Sequence, residues 1–458
     1  MPTHSFEAIL TTGPIGRTLL KMTIPMIWGM LAMMLFNLVD TYYVAKLGTF
    51  PLAAMGFTFP VILTVAHVSL GMGIGTSSVI SRAIGEGDHH KVQQLTTHSL
   101  YLSVIIVCIT IVIGLQTIEP LFTALGANAQ TMPFIKDYMK IWYIGSLFLV
   151  VPMVGNHAIR ASGDTFIPGM IMIFGSIINI ILDPILIFGW FGVPALGIKG
   201  AAWATLIARA LTMFLSLWVL IKHKHMIAFE SPILSDIIAS WKKILHIGLP
   251  SSGSMLLPTI CLAILTRIVS TFGQSAVAGY GVAGKIEGFG LVIFIAVSTI
   301  FGPFVGQNWG AQKINRVRKA LTKMVCFSII WGTLQAIILF LFAHPISAIF
   351  NRDPDVLPFT LLYLKIIPIS YGLLSILYLV SSTFNAIGRP LPGIFLMIVR
   401  LIILQIPLAL LGKKWFGYPG FLIAQHISGI IVAFWSYIWI RKICKRKQHE
   451  LETSARPY

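Results

Sequence analysis

The sequence predicts an all-α integral membrane protein of twelve transmembrane helices arranged as two six-helix pseudo-symmetric bundles. Three observations predict it. The 458 residues are 56% hydrophobic and 10% charged, with a mean hydropathy of +0.86. Apolar runs long enough to cross a bilayer recur from Leu19 to Ile440 with only short polar breaks. The chain also repeats itself: Pro25 falls on Pro250, Met30 on Met255, Thr41 on Thr266, Gly48 on Gly273, Gly56 on Gly281 and Gly85 on Gly310. The same offset later pairs Pro133 with Pro358, Tyr138 with Tyr363 and Gly163 with Gly388.

At about 20 residues per crossing, the spans centre near 18–44, 52–80, 96–118, 138–159, 168–190, 200–222, 246–271, 284–305, 322–345, 360–384, 393–411 and 420–440. The repeat divides them into a six-helix lobe over 1–221 and a second over 246–440, with a linker at 222–245 and a basic tail at 441–458. Six is even, so both lobes enter the membrane in the same direction, as parallel repeats. In the linker, Ser231 and Pro232 suit a helix cap and first turn. Beyond them, Ile233, Ile237, Trp241 and Ile244 would line one face of an interfacial helix.

The formal net charge of +18 follows loop parity rather than forming one patch. Alternate loops carry Arg17, Lys21, Arg82, Lys91, Arg160, Lys222, Lys224, Lys242, Lys243, Lys313, Arg316, Arg318, Lys319, Lys323, Arg389 and the basic tail from Arg441. The opposite loops hold only Lys46, Lys136, Lys140, Lys199, Arg352, Lys413 and Lys414. This is the positive-inside pattern, with both termini in the cytoplasm, and it argues against nucleic acid as a partner. No basic segment followed by an apolar one opens the chain, so no cleaved signal is expected. Cys108, Cys261 and Cys326 lie in apolar runs and Cys444 in the tail, which gives no disulfide or metal framework. Histidines show no zinc-ligand spacing. GMGIGTSS at 71–78 lacks the lysine of a phosphate loop and reads as close helix packing, so ATP is not the expected energy source.

Asp40 and Asp183 interrupt otherwise apolar spans. An isolated carboxylate at membrane depth costs about 2.5 to 3.5 kcal/mol or more on insertion scales, so such residues pair, face a cavity or carry an ion. In the repeat Asp40 falls on Leu265, and Asp183 aligns with Ile406. A six-helix lobe therefore forms without them, and they read as chemistry. Asn37 and Asp40 share a helix face at i,i+3, and Asn179 and Asp183 at i,i+4. Four oxygen-bearing side chains on two helices suit a proton or sodium ion rather than a transition metal. Arg209, Arg267 and Arg400 read as snorkelling or internally paired cations.

With these residues in place, the chain resembles the multidrug and toxic compound extrusion (MATE) family, its first lobe being most similar to the DinF-like branch. The likeness rests on NLVDTYYVAKLG at 37–48, NHAIRASGD at 156–164, NIILDP at 179–184, GAAWATLIAR at 200–209, and GKIEGFG and GQNWGA at 284–290 and 306–311. The resemblance implies two bundles forming a V around a central cavity, and expulsion of cationic, amphipathic organic compounds in exchange for H+ or Na+. It implies an ion-coupling cluster of Asp40, Tyr138, Asn156, Asn179, Asp183 and Thr205, with Na+ held by Asp40, Asn179, Asp183 and Thr205, and substrate contacts in the cavity that include the two aspartates. Pro25 matches the residue at which the first helix is proposed to bend. Glu287, near Lys285, matches a motif of the eighth helix and is a secondary candidate, whereas helices 7 and 10 contain no acidic residue.

The expected activity is therefore secondary antiport by a monomer without a resident cofactor. A lipid-linked precursor flippase of the same superfamily would need a strongly cationic cavity. A non-transporting receptor or scaffold gives no reason for carboxylates in one lobe, and an enzyme would need a nucleophile–base pair or metal cluster at membrane depth, which is not evident.

Overall fold

In hydrocarbon every backbone N–H and C=O must find its partner within the chain, and helices achieve this locally. The computed structural model describes residues 7–229, 233–351 and 353–454, and they are helical almost throughout. The spans are α1 (Ile15–Ala45), α2 (Thr49–Glu86), α3 (His89–Ala124), α4 (Met132–Ala161), α5 (Phe166–Phe188), α6 (Ile198–His223), α7 (Leu234–Ser270), α8 (Gln274–Gly310), α9 (Ile314–Leu341) and α10 (Leu357–Ala386). The helical run Leu391–Thr453 is 63 residues long. Straight, it would reach about 95 Å, three times the hydrocarbon thickness. It turns back at Gly417, whose φ of 62° and ψ of −143° lie outside helical space. Gly412 and Gly420 bring the two arms together, for a Cβ on Gly412 would lie 2.3 Å from Gly420 O. The run is thus α11 (391–416) and α12 (418–453), giving twelve membrane-length helices among the described residues.

Local sequence sets the breaks. At GEGD, Gly87 closes α2 in the left-handed conformation at φ 79°, and the adjacent Asp88 opens α3 by accepting from Lys91 N at 3.0 Å. The helices extend past the apolar spans read from sequence, because their ends remain helical into the polar layer.

By contact the chain divides into two units: Lys21–Ser252 in the first, and Leu10–Leu20 with everything from Gly253 to the end of α12 in the second. Each uses the same packing scheme. In the first, α2 packs on α4, α3 on α4, α5 on α6 and α4 on α6; in the second, α8 packs on α10, α9 on α10, α11 on α12 and α10 on α12. Adding six to each helix number converts one set into the other, so the sequence repeat is also a packing repeat.

The boundaries differ from the sequence expectation. Residues Leu10–Leu20 group with the second unit, because Gln307 and Asn308 hold the Leu10 backbone: Leu10 N donates to Gln307 Oε1 at 3.1 Å and Asn308 Nδ2 donates to Leu10 O at 3.0 Å. The linker is not a separate interfacial helix. Its amphipathic stretch is the start of α7 and is packed on α3, with Trp241 Nε1 donating to His98 O at 2.9 Å and Ile244 fully buried. Ser231, Pro232 and Arg352 lie outside the described residues. In the tail, α12 continues as far as Ser454 and buries Cys444.

The glycines of GMGIGTSS do what close packing requires. A Cβ on Gly71 would sit 2.5 Å from Ser252 N, one on Gly75 would sit 2.5 Å from Ile244 O, and one on Gly73 would strike the His157 ring. Large side chains such as Trp28, Phe59, Phe214 and Phe434 stand exposed, as expected where the surrounding medium is lipid. Gly75→Leu should cost about 1 to 3 kcal/mol and lower the melting temperature of the purified protein. Gly56→Leu, at a position with nothing within 4 Å, should leave it unchanged.

Candidate functional site

The first unit gathers its polar side chains where α1, α4, α5 and α6 meet. The α5–α6 contact is close because Gly200 lets the helices touch, a Cβ there falling 2.3 Å from Leu186 O, and because Gly175 receives the Thr212 methyl. Between these points the two helices present matching pairs one turn apart, Asn179 and Asp183 on α5 and Thr205 and Arg209 on α6. The Asn179 amide, oriented by its network, donates from Nδ2 to Asp183 Oδ2 at 2.9 Å and accepts at Oδ1 from Thr205 N at 3.1 Å and Thr205 Oγ1 at 3.3 Å. Pro184 lacks the N–H that would bond the carbonyl of Ile180, which leaves another oxygen free on the same turn.

Asp40, near the end of α1, is 5% exposed and Asp183 is fully buried. The two lie close enough to act on each other electrostatically, and Asp40 also senses Arg209. Tyr138, from α4, feels both carboxylates and Arg209 electrostatically, and it belongs to an apolar cluster with Val44, Ile118, Phe122, Ile187 and Ala201. One oxygen of each carboxylate, Asp40 Oδ1 and Asp183 Oδ1, is buried without a hydrogen-bond partner. Counting Asp40, Asp183 and Arg209 as ionised, the centre carries one excess negative charge. A single monovalent cation or proton would neutralise it, and orphaned oxygens on two helices are suitable ligands.

Not every expected residue joins this centre. Asn37 stands on the exposed side of α1 and donates from Nδ2 to Met33 O of its own helix at 2.9 Å, so the i,i+3 spacing does not turn it towards the ion with Asp40. Asn156 accepts from Ser216 Oγ at 3.1 Å, and Ser216 lies about three turns beyond Thr205 along α6. Conversely, Arg209, read from sequence as a snorkelling or internally paired cation, belongs to the site through Asp40 and Tyr138. The available signal was its i,i+4 spacing from Thr205 in GAAWATLIAR.

Pro25 sits inside an unbroken α1 and frees the carbonyl of Lys21. Close by, Thr165 Oγ1 donates to Met22 O at 2.8 Å. Gly29 and Gly169 face each other there, and a Cβ on Gly169 would meet Pro25 O at 2.7 Å.

In the second unit Glu287 does not pair with Lys285 near a helix end. It lies well inside α8 and accepts a hydrogen bond from Tyr363, with Arg400 acting on it electrostatically. Tyr363 is the repeat equivalent of Tyr138. Here one carboxylate is accompanied by one guanidinium that acts on it electrostatically, so the formal charges sum to zero. Arg400 sits in a π-helical stretch of α11, Val399–Gln405, a distortion the sequence did not signal.

Comparison with known proteins agrees with this duplicated architecture. The family model described as MatE matches residues 25–185 and again 250–411, two copies whose starts reproduce the repeat offset. The chain is 36% identical to a protein named FAD transporter from Shewanella oneidensis, over 95% of this chain and 96% of that one. It is 24% identical to a probable multidrug resistance protein of Bacillus subtilis, over 86% and 88% respectively. The crystal structure of the Vibrio cholerae MATE transporter VcmN in the bent form superposes with a TM-score of 0.90 at 30% identity, covering 94% of this chain and 98% of that one.

Asn179→Leu would leave Asp183 Oδ2 without its donor at a cost of about 1 to 3 kcal/mol. A carboxylate that has lost its donor holds a proton more tightly, so the expected result is an about tenfold or more lower half-saturating proton concentration in proteoliposome transport. Asn37→Leu should leave that concentration unchanged.

Proposed function

This chain belongs to the MATE family of membrane transporters, and on that premise we propose that it is an exporter driven by inward movement of H+ or Na+ through the Asp40–Asp183 centre. The observation that carries the proposal is the pair of buried carboxylates, each with an orphaned oxygen, in a centre whose charges sum to one excess negative.

Without the ion, the two carboxylates repel and Arg209 compensates only one of them. A proton or sodium ion arriving from outside binds between them, held by the oxygens of Asp40, Asp183, Asn179 and Thr205. Neutralisation removes the repulsion between α1 and α5. Pro25, where the backbone bonding of α1 is already incomplete, is the hinge at which that helix repacks. The altered packing disfavours bound substrate, which leaves outward, and the ion is released inside. Each elementary charge moved across the membrane contributes about 2.3 kcal/mol per 100 mV. The host membrane is the bacterial inner membrane, with the basic loops inside.

For the substrate, the multidrug-named relatives favour amphipathic organic cations, which the carboxylates would attract. A second reading is favoured by the Shewanella oneidensis relative: a flavin dinucleotide, whose negative charge the carboxylates would repel until the ion has neutralised them. The two readings predict opposite coupling of substrate charge to ion occupancy.

In proteoliposomes with imposed proton or sodium gradients, Asp40→Asn and Asp183→Asn should each abolish gradient-driven transport while leaving expression and melting behaviour intact. Undiminished transport at every pH and sodium concentration would refute the role. Parallel assays with a cationic dye and with FAD separate the substrate readings.

A further inference from the structure

The second unit carries a cavity of about 720 Å³, open to the surface and lined by Gly13, Lys313, Arg316, Lys319, Lys323 and Glu452 among others. Four of these side chains are cations and one is a carboxylate. Arg316, Lys319 and Lys323 fall at i, i+3 and i+7 of α9 and share one face. Spacing like charges in this way destabilises a helix by a few tenths of a kcal/mol per pair, and the expected compensation is missing. Arg316 is spent on neutral carbonyls, donating from Nη1 to Gly13 O at 2.7 Å and from Nη2 to Thr12 O at 2.5 Å. Lys313 Nζ donates to Thr11 O at 3.1 Å. The Glu452 carboxylate accepts from Gln448 at 2.8 Å, and no ion pair within 4.0 Å joins it to these cations among the described residues.

The geometry points to a site for a phosphate group, with the headgroup of an acidic phospholipid as the source that has direct lateral access. Its volume suits a headgroup. Its depth suits one too: the apolar run of α9 begins immediately after Lys323, and Tyr437, an interfacial type of side chain, lies 3.5 Å from Thr322 through its hydroxyl. Basic pockets at this level of a helical membrane protein are suited to anionic headgroups. The site is remote in sequence from the coupling residues and stands whether or not their proposed role holds.

The test uses the full chain in phosphatidylcholine vesicles with and without phosphatidylglycerol, followed by native mass spectrometry of retained lipid and by thermal melting. Lys319→Gln/Lys323→Gln should retain at least about tenfold less phosphatidylglycerol than the unaltered chain and lose the melting stabilisation that this lipid gives. Lys442→Gln/Lys445→Gln removes the same charge outside the cavity and should lose neither. Stabilisation by soluble glycerol 3-phosphate in phosphatidylcholine alone, abolished by the cavity variant, would uphold the phosphate site with a soluble source. Equal losses in both variants, or no loss in either, would overturn the proposal.

Discussion

A negative charge withdrawn from water must be met by something, and in this protein Asp40 and Asp183 are not fully met. Counted as ionised, two neighbouring desolvated carboxylates with one guanidinium acting on Asp40 leave a deficit that the helices cannot remove by small adjustments. Like charges drawn together in a protein repel by a few kcal/mol at an effective dielectric constant of about 20. That is comparable to a sizeable fraction of a typical domain's net stability. An arrangement so costly persists where a mobile cation completes it for part of a cycle.

The two units make the argument by contrast. They share a packing scheme and repeat-equivalent tyrosines, Tyr138 and Tyr363, each beside a carboxylate and near an arginine. Yet the carboxylates come from different helices, α1 and α5 in one unit and α8 in the other, so duplication supplied the scaffold and not the charges. Glu287 and Arg400 balance, whereas Asp40, Asp183 and Arg209 do not. The first unit therefore has a reason to bind a cation that the second lacks, even though both bury ionisable groups.

Most of the fold was legible because bilayer thickness and hydropathy act on whole segments. The twelve spans and the repeat need no knowledge of side-chain packing. The ends were less legible: α7 and α12 run on into the polar layer because Trp241 and Cys444 find tertiary partners, which no local pattern encodes. At the site, Asn179 and Asp183 were readable from i,i+4 spacing and the energetic cost of the carboxylate. Asn37 was not, since an i,i+3 neighbour can lie on the far edge of a face and satisfy its amide on its own backbone. Arg209 was missed because a membrane arginine has two ordinary uses, and only the close α5–α6 approach at Gly175 and Gly200 decides between them.

The ion centre gains mechanical meaning from where α1 and α5 touch. Near Pro25 their backbones are in contact through Gly29 and Gly169, and Thr165 ties α5 to the Met22 carbonyl. That contact is tight, contains no titrating group and is indifferent to the ion. The second meeting point, Asp40 with Asp183, lies about 16 Å farther along α1 and, in the proposed cycle, would change from repulsive to attractive when a cation arrives. A helix fixed at one point and subject to a switchable force some three turns away is a lever, and its weakest backbone bonding is next to the fixed point, where Pro25 has removed a donor. Charge at one end and an incomplete helical ladder at the other thus belong to one device, which neither residue would reveal alone.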